Sequence, residues 1–573
     1  MTKQIIYGES NYETIVEENG YFVDKTPYIA KLERFKNPVF LRPRRFGKSY
    51  FCSLLYYYYD LNQADKFERL FGDTWIGQHP TKTHNNYITI FLNFSEIEVG
   101  RTIDEIEDNF KAHCNGFLDG LRTEYASLFG DMPKLDQDAP VANNLGEIYR
   151  YVQFYKLPKL YVIIDEYDNF ANQLIMSNRR VLYDELTDDR GFLKTFFKTL
   201  KAGRERRTIA DIFITGVLPI TIDELAPAYN IGTFLTLNPG FEAMTGFTQD
   251  EVDKLLDDVY MDHNLDPATR SEVNTIIKEN YDGYHFVKPD GEGLYNSTIL
   301  MYFLQYLTIE KEIPEELTDL NLKTEYPWVR RITSGQPGDT EEFVIQLTQE
   351  NRIAYNRTLL VSKFDMHQFF ERDFYPISFF YLGLLTKRDQ FYLCLPNLNT
   401  QQIFIQYFNQ IHNVDVSTRY AEMMQSFVNH PNMEHLFADY WALYIQQFPE
   451  AVFQQVNENF YRSTFFQLCS MHLSPWFTWN VERSYPQGKS DLEFVGKYHE
   501  KFAGMRWVIE FKYFSNSKMA DEDIKIDTFT LRRADKKQLL GYVEGLIEEY
   551  PEAKIESFVI YCFGNKGYRV FPL

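Results

Sequence analysis

At 573 residues the chain is too long for one hydrophobic core, and at roughly 150 residues per unit it implies about three or four domains. Its 44% hydrophobic and 24% charged content excludes a dominantly disordered chain, and a net charge of -22 excludes coating of nucleic acid by overall charge. Residues 451–573 hold 16 Lys+Arg and 16 Asp+Glu, so the excess acid lies in residues 1–450 and a polyanion is least repelled at the C-terminal end.

The opening MTKQIIYGESNYET has no basic segment followed by an apolar run, and no stretch of 18 apolar residues occurs later. We expect a cytoplasmic protein with no membrane partner. Cys52, Cys114, Cys394, Cys469 and Cys562 form no C-x-x-C pair, which fits a reducing compartment and argues against structural zinc.

In chain order, PVFL (38–41) predicts a short buried strand and KSYFCSLLYYYYDL, from residue 48, a core helix whose YYYY run (56–59) serves packing. Apolar runs at 86–95, 160–168 and 209–217 predict interior strands separated by helix-length segments. That is the pattern of an α/β fold with a parallel sheet covered on both faces. Residues 245–450 read as mixed and mostly helical, with breaks at 288–293 and 333–339. From 451 the order is helix (VNENFYRSTFFQLCSMHL), strand (SDLEFV), strand (RWVIEFKYF), helix (KKQLLGYVEGLIEEY), strand (SFVIYCFG). We divide the chain into 1–244, a helical lid 245–310, a middle region 311–450 and a separate α/β unit 451–573.

Between the first strand and helix lies RPRRFGKS (42–49). A phosphate-binding loop directs backbone N–H groups and a helix N-terminus at phosphate oxygens, while Lys neutralises charge and Ser ligates Mg²⁺. Lys48 and Ser49 fill those roles, with Gly47 before them. Where such a loop usually opens with glycine stands Arg42, which implies a loop of different shape, a dead site, or one in which Arg44 and Arg45 supply charge in place of glycine flexibility. Gly-Lys-Ser recurs at 488–490 without a preceding strand and following helix. The strand LYVIIDEYD ends in Asp165, expected at the Mg²⁺ shell, and Glu166, expected to orient or deprotonate the attacking water.

In RWVIEFKYF, Glu510 and Lys512 are two apart on an alternating strand and share a face, while Ile509 and Phe511 turn into packing. Asp491 opens the preceding strand. Two carboxylates and a lysine suit Mg²⁺-dependent phosphodiester hydrolysis, with Lys489 near a backbone phosphate; the same pattern also describes a solvent-facing ion pair. No histidine pair has metal-ligand spacing, and His285 and His472 read as packing residues.

YFVDKTPYIAKL (21–32), FLRPRRFGKS, VIIDEYDNF, FITGV, GFTQDEV (246–252) and YDGYHF (281–286) follow in order. Together they resemble the bacterial AAA-ATPase-like family that carries a C-terminal PD-(D/E)XK nuclease domain. The family's phosphate loop has the form P-R-R-F-G-K-[ST], so the resemblance makes Arg42 a normal variant. It implies a P-loop NTPase sheet, a helical lid and middle region, and a restriction-endonuclease-like C-terminal domain. It assigns Lys48, Ser49, Asp165 and Glu166 to ATP and Mg²⁺, and Thr215 to a polar sensor. Asp24 and Lys25 belong to the N-terminal motif. The C-terminal pattern D-(18 residues)-E-x-K matches Asp491, Glu510 and Lys512; Glu458 and Glu482 match upstream acids, and Gln538 and Tyr542 a Q-x-x-x-Y helix. The implied metal set is Ser49 and Asp165 in one site and Glu458, Asp491 and Glu510 in the other, with Mn²⁺ as a substitute. The implied partner is nucleic acid, DNA first, in DNA processing or phage defence. By fold-level analogy such ATPases complete their sites between subunits, so a homo-oligomer is a further expected partner. YNST (295–298) departs from the family's Asn-Pro after Tyr. The rival reading is a nucleotide-sensing interaction or remodelling protein whose nuclease-like domain binds without cutting.

Overall fold

The computed structural model describes residues 2–188, 191–219, 230–314, 317, 326–333, 337–361, 368–415, 419–486, 488–498 and 500–573. The predicted apolar runs become β1 (Pro38–Leu41), β2 (Ile88–Asn93), β3 (Leu160–Asp165) and β4 (Ile209–Gly216). A two-residue strand, β5 (Thr233–Phe234), completes a parallel sheet of order β2-β3-β4-β1-β5. Every residue of β1 and β3 is buried, because helices cover both faces. Val39, Leu41, Val162 and Ile164 enter one core; Phe40, Tyr161, Ile163 and Phe213 enter the other. Helix α1 (Lys48–Tyr59) closes the second core with Phe51, Leu54 and Leu55. Tyr57, Tyr58 and Tyr59 are buried, and Tyr59 stacks on Tyr161 at 4.3 Å, so the tyrosine run is packing. β4 lies between β1 and β3, which gathers the loop after β1, the acids after β3 and the end of β4 at one sheet edge.

Helices α2 (Gln249–His263), α3 (Arg270–Tyr281) and α4 (Ser297–Glu310) form a lid with its own core around Leu256, Ile277, Leu300 and Phe303. Thr248 and Glu251 form a capping box at the start of α2. The predicted break at 288–293 is irregular. That at 333–339 is only partly so: helix ends at Thr333, residues 334–336 lie outside the described residues, and helix resumes at Pro337, a residue suited to a first turn. Further on, helix α5 spans Leu398–Ile411.

The last part contains α6 (Glu458–Leu473), β6 (Phe477–Val481), β7 (Leu492–Gly496), β8 (Met505–Phe514), α7 (Arg533–Glu549), β9 (Lys554–Phe563) and β10 (Gly567–Pro572). The sheet order is β10-β9-β8-β7-β6, with β8 and β9 parallel and the other pairs antiparallel. Both edge strands, FTWNV and GYRVFP, were absent from the sequence reading. The helix Met433–Leu443 shares this core, Phe437 packing on Phe511 and Tyr568.

The lid touches the C-terminal unit at α3, where Glu279, Trp479 and Lys497 line one cavity. Burial, then the charge of Glu493, pushes the Glu279 carboxyl up to about 8. The folded state therefore keeps a proton that the unfolded chain releases, and this contribution is lost as pH rises through the folded value. Allowing for partial solvent contact, Glu279→Gln is expected to stabilise the protein by about 1–3 kcal/mol at pH 8–9 and by little near pH 5. Melting temperatures of both proteins across that range would show it; parallel curves would refute it.

Candidate functional site

The chain between β1 and α1 makes its turn with two left-handed residues, Arg45 (φ 68) and Gly47 (φ 82). A non-glycine residue is held there only by surrounding structure. The lid supplies it: Gly246 N donates to Phe46 O at 3.0 Å and Thr298 N to Arg45 O at 3.2 Å. Ser297 Oγ also donates to Arg45 O at 3.4 Å, a bond that proline at 297 would lack, so the departure at YNST has a structural use. Helix α1 begins without a side-chain cap, so its first-turn N–H groups are not spent on one.

Lys48 is 5% exposed; its Nζ donates to Pro43 O at 3.1 Å and lies 3.6 Å from Glu166 Oε1. Ser49 bonds Asp165, which is fully buried and pushed up to about 6 by burial first and by Glu166 second. Asp165 Oδ1 accepts Glu166 N–H at 2.9 Å, and its Oδ2 is buried with no hydrogen-bond partner among the described residues. Glu166 sits at φ 51, a strained position that aims it back at Lys48. Arg44, Arg45, Gly47, Lys48, Ser49 and Glu166 line a cleft of about 250 Å³. Its far end is walled by the N-terminal segment and the lid, including Tyr7, Phe22, Phe247 and Met301.

Arg42 does not face this cleft. It is 1% exposed, and its guanidinium donates to Leu41 O (3.0 Å), Thr236 O (2.8 Å) and Glu242 O (3.2 Å) between the rings of Phe40 and Phe286. Burial lowers it to about 9. Arg44 and Arg45, expected as loop cations, border the cleft, whereas Arg42, which stands where a phosphate loop usually has glycine, is a core anchor. Thr215 is likewise buried outside the lining, its hydroxyl donating to Phe40 O at 2.8 Å. Asp24 is engaged by Thr26 and Trp75 N–H, whereas Lys25 borders the cleft and pairs with Glu251 at 2.6 Å.

In the C-terminal unit, strand alternation puts Val508, Glu510 and Phe514 toward α7 and Ile509 and Phe511 toward α6. Glu510 is 2% exposed; Lys512 Nζ donates to its Oε1 at 2.7 Å and Gln538 Nε2 to the same oxygen at 2.8 Å. Gln538 also reaches Tyr542 Oη at 2.7 Å, and Tyr542 donates to Lys489 O at 2.8 Å. Asp491 precedes β7, its Oδ2 accepting Phe511 N–H at 2.7 Å. Burial, then Asp491, pushes the Glu510 carboxyl up to about 7; burial also raises Asp491 and Glu458. The charges of Asp491, Lys512 and Arg462 act on Glu458, but among the described residues Glu458 does not join Asp491 and Glu510 in a group that could hold a metal ion, so the expected third ligand is not in place. Lys489 and Glu482 lie 3.8 Å apart at the rim.

Three residues that the structure places beside these sites were not singled out from the sequence. Asp168 is fully buried and accepts Val217 N–H at 3.1 Å and Leu218 N–H at 2.6 Å, tying the end of β3 to that of β4. Its signal was its place as third acid in DEYD. Glu251, the partner of Lys25, was visible as the fourth residue of a T-x-x-E cap. Arg462 is 8% exposed and pairs with Glu482 (2.8 Å) and Asp491 (3.5 Å); its signal was one-turn spacing from Glu458 on α6.

Among the described residues no group of three or more His, Cys, Asp or Glu side chains is arranged to hold a metal ion. Yet Asp165 Oδ2 and Glu510 Oε2 are buried carboxylate oxygens without hydrogen-bond partners among those residues, and each belongs to a carboxyl raised by burial. Such an oxygen is costly unless a proton or a cation completes it, so each carboxyl offers one oxygen to a hard ion, whose remaining ligands would be main-chain oxygens or water.

The two sites are physically connected. Phe46 packs edge-on against Tyr284 and Phe286 of YDGYHF at 4.9 and 5.3 Å. Asn397 Nδ2 donates to Asp282 O at 2.9 Å just before α5, and Gln401 Nε2 on α5 donates to Ser463 Oγ at 3.1 Å, one residue from Arg462. Pro43 packs on Gly383, where a Cβ would lie 2.6 Å from the proline ring, so only glycine (φ 78) fits.

Among the described residues no helix is long and apolar enough to cross a membrane. No curated protein matches the chain. Residues 6–226 match the family model described as predicted AAA-ATPase, and residues 456–571 match that of the PD-(D/E)XK nuclease superfamily. The chain thus joins an AAA-ATPase-like domain to a C-terminal domain of the PD-(D/E)XK nuclease superfamily.

Proposed function

We propose that the protein binds and hydrolyses ATP at the Lys48 cleft and cleaves phosphodiester bonds of nucleic acid, DNA first, at the Glu510 site. The observation that carries the reading is Glu510: a buried carboxylate with one unpartnered oxygen, flanked by Asp491 and Lys512. Ser49 and Asp165 would hold Mg²⁺ at the cleft; Asp491 and Glu510 would hold Mg²⁺ or Mn²⁺ at the C-terminal site. A bound ion there supplies charge neutralisation and a more acidic water.

The chain's own residues do the rest. Lys48 places an ammonium beside the phosphates, and Glu166 accepts the proton of the attacking water as the terminal phosphoryl group leaves ADP. Lys512 orients the hydrolytic water at the scissile phosphate, and Gln538 fixes the carboxylate that neighbours it. The contacts from Phe46 to Ser463 give nucleotide state a route to α6.

The test is cleavage of labelled linear and circular DNA in Mg²⁺ or Mn²⁺, with and without ATP, by wild type and Asp491→Ala. Metal-dependent cleavage lost in the variant supports the reading. A second reading, nucleotide-dependent binding or remodelling without cutting, is favoured by the internal ion pairs that engage Asp491 and Glu510. ATP turnover with no cleavage under any condition would select it.

A further inference from the structure

We propose that Arg462 is an internal counter-ion that occupies Asp491 until a divalent cation displaces it, making metal loading of the C-terminal site a competition within the protein. The inference rests on the reading of Asp491 and Glu510 as metal ligands. Arg462 Nη1 lies 3.5 Å from Asp491 Oδ1, while Asp491 Oδ2 is engaged by Phe511 N–H at 2.7 Å. Glu510 Oε1 is engaged by Lys512 and Gln538. The chain itself therefore occupies three of the four oxygens of the pair and leaves Glu510 Oε2. An oxygen-ligated ion needs several ligands, so it must take Asp491 Oδ1 from the guanidinium.

The exchange is cation for cation, a guanidinium leaving as the divalent ion arrives. The guanidinium has somewhere to go. Glu482 is half-exposed and already holds the same Nη1 at 2.8 Å, the shorter of the two contacts. The backbone that carries Arg462 is fixed on both sides: Tyr461 Oη donates to Gly564 O at 2.6 Å, and Ser463 Oγ accepts from Gln401 on α5. Only the side chain needs to swing.

The experiment is Mn²⁺ titration calorimetry on the nucleotide-free full chain, comparing wild type, Arg462→Gln, Arg462→Lys, Glu482→Gln and Asp491→Ala. Removing the competing charge in Arg462→Gln is expected to tighten binding at the Asp491-dependent site about tenfold, while Arg462→Lys stays near wild type. In Glu482→Gln the guanidinium is left with Asp491 alone, and binding is expected to weaken about threefold. Equal or weaker binding by a folded Arg462→Gln overturns the proposal. If that variant does not fold, unchanged or tighter binding by Glu482→Gln overturns it instead. Failure of the underlying metal reading has a separate signature: Asp491→Ala would bind as many ions as wild type.

Discussion

Lys512→Ala is expected to lower the single-turnover rate of DNA cleavage by about 10²–10⁴-fold, the range for removal of a group that positions or transfers a proton at the reacting centre. Among the described residues Lys512 is the one cation hydrogen-bonded to Glu510, and its side chain is about one quarter exposed, so truncation removes charge without opening a core cavity. Without it the Glu510 carboxylate keeps only the neutral amide of Gln538. Melting temperature should change little, which separates loss of chemistry from loss of fold. Lys512→Arg should rescue only in part, because a planar guanidinium cannot replace a compact ammonium beside a buried carboxylate. Cleavage at the wild-type rate by Lys512→Ala would remove the lysine from the reaction.

For Lys48→Ala, ATP affinity is expected to fall about 100-fold or more, equivalent to about 3 kcal/mol, with turnover lost in parallel. Lys48 is the cation that meets both the loop, at Pro43 O, and the acid expected to handle the water, Glu166. Its removal leaves Glu166 uncompensated at the mouth of α1, where an incoming triphosphate meets repulsion instead of charge. Titration with a fluorescent ATP analogue measures the loss, and Lys48→Met controls for packing of the buried stem. Measuring DNA cleavage by the same variant tests whether the contacts from Phe46 through Asn397 and Gln401 transmit nucleotide state. Unaltered nucleotide binding would place the phosphates elsewhere.

The parallel sheet was legible because its strands are apolar on both faces: PVFL occupies 38–41 as read, and LYVIID, IADIFITG and ITIFLN need only trimming at their ends. β5 was not, since two residues carry no period, and FTWNV and GYRVFP were missed because edge strands mix exposure on both faces. At the sites, residue types with a chemical signature were legible: Lys48, Asp165, Glu510 and Lys512 all lie in clusters. What could not be read was direction. Arg42 and Arg44 are two apart in one loop, yet one faces the core and the other the cleft, because Thr236, Glu242 and Phe286, about 200 residues later or more, build an acceptor cage for the first. Arg462 likewise reads as a polar position on a helix until β7 brings Asp491 across from it.

The buried guanidinium of Arg42 bears on how this loop diverges. Its acceptors are main-chain carbonyls, which almost any substitution at 236 or 242 would preserve, while the arginine itself has no small substitute. Glycine at position 42 would remove the link between β1 and the chain leading into the lid and take one donor group from three carbonyls at once. The residue that opens this loop is thus a keystone of the sheet and plays no direct part in the cleft.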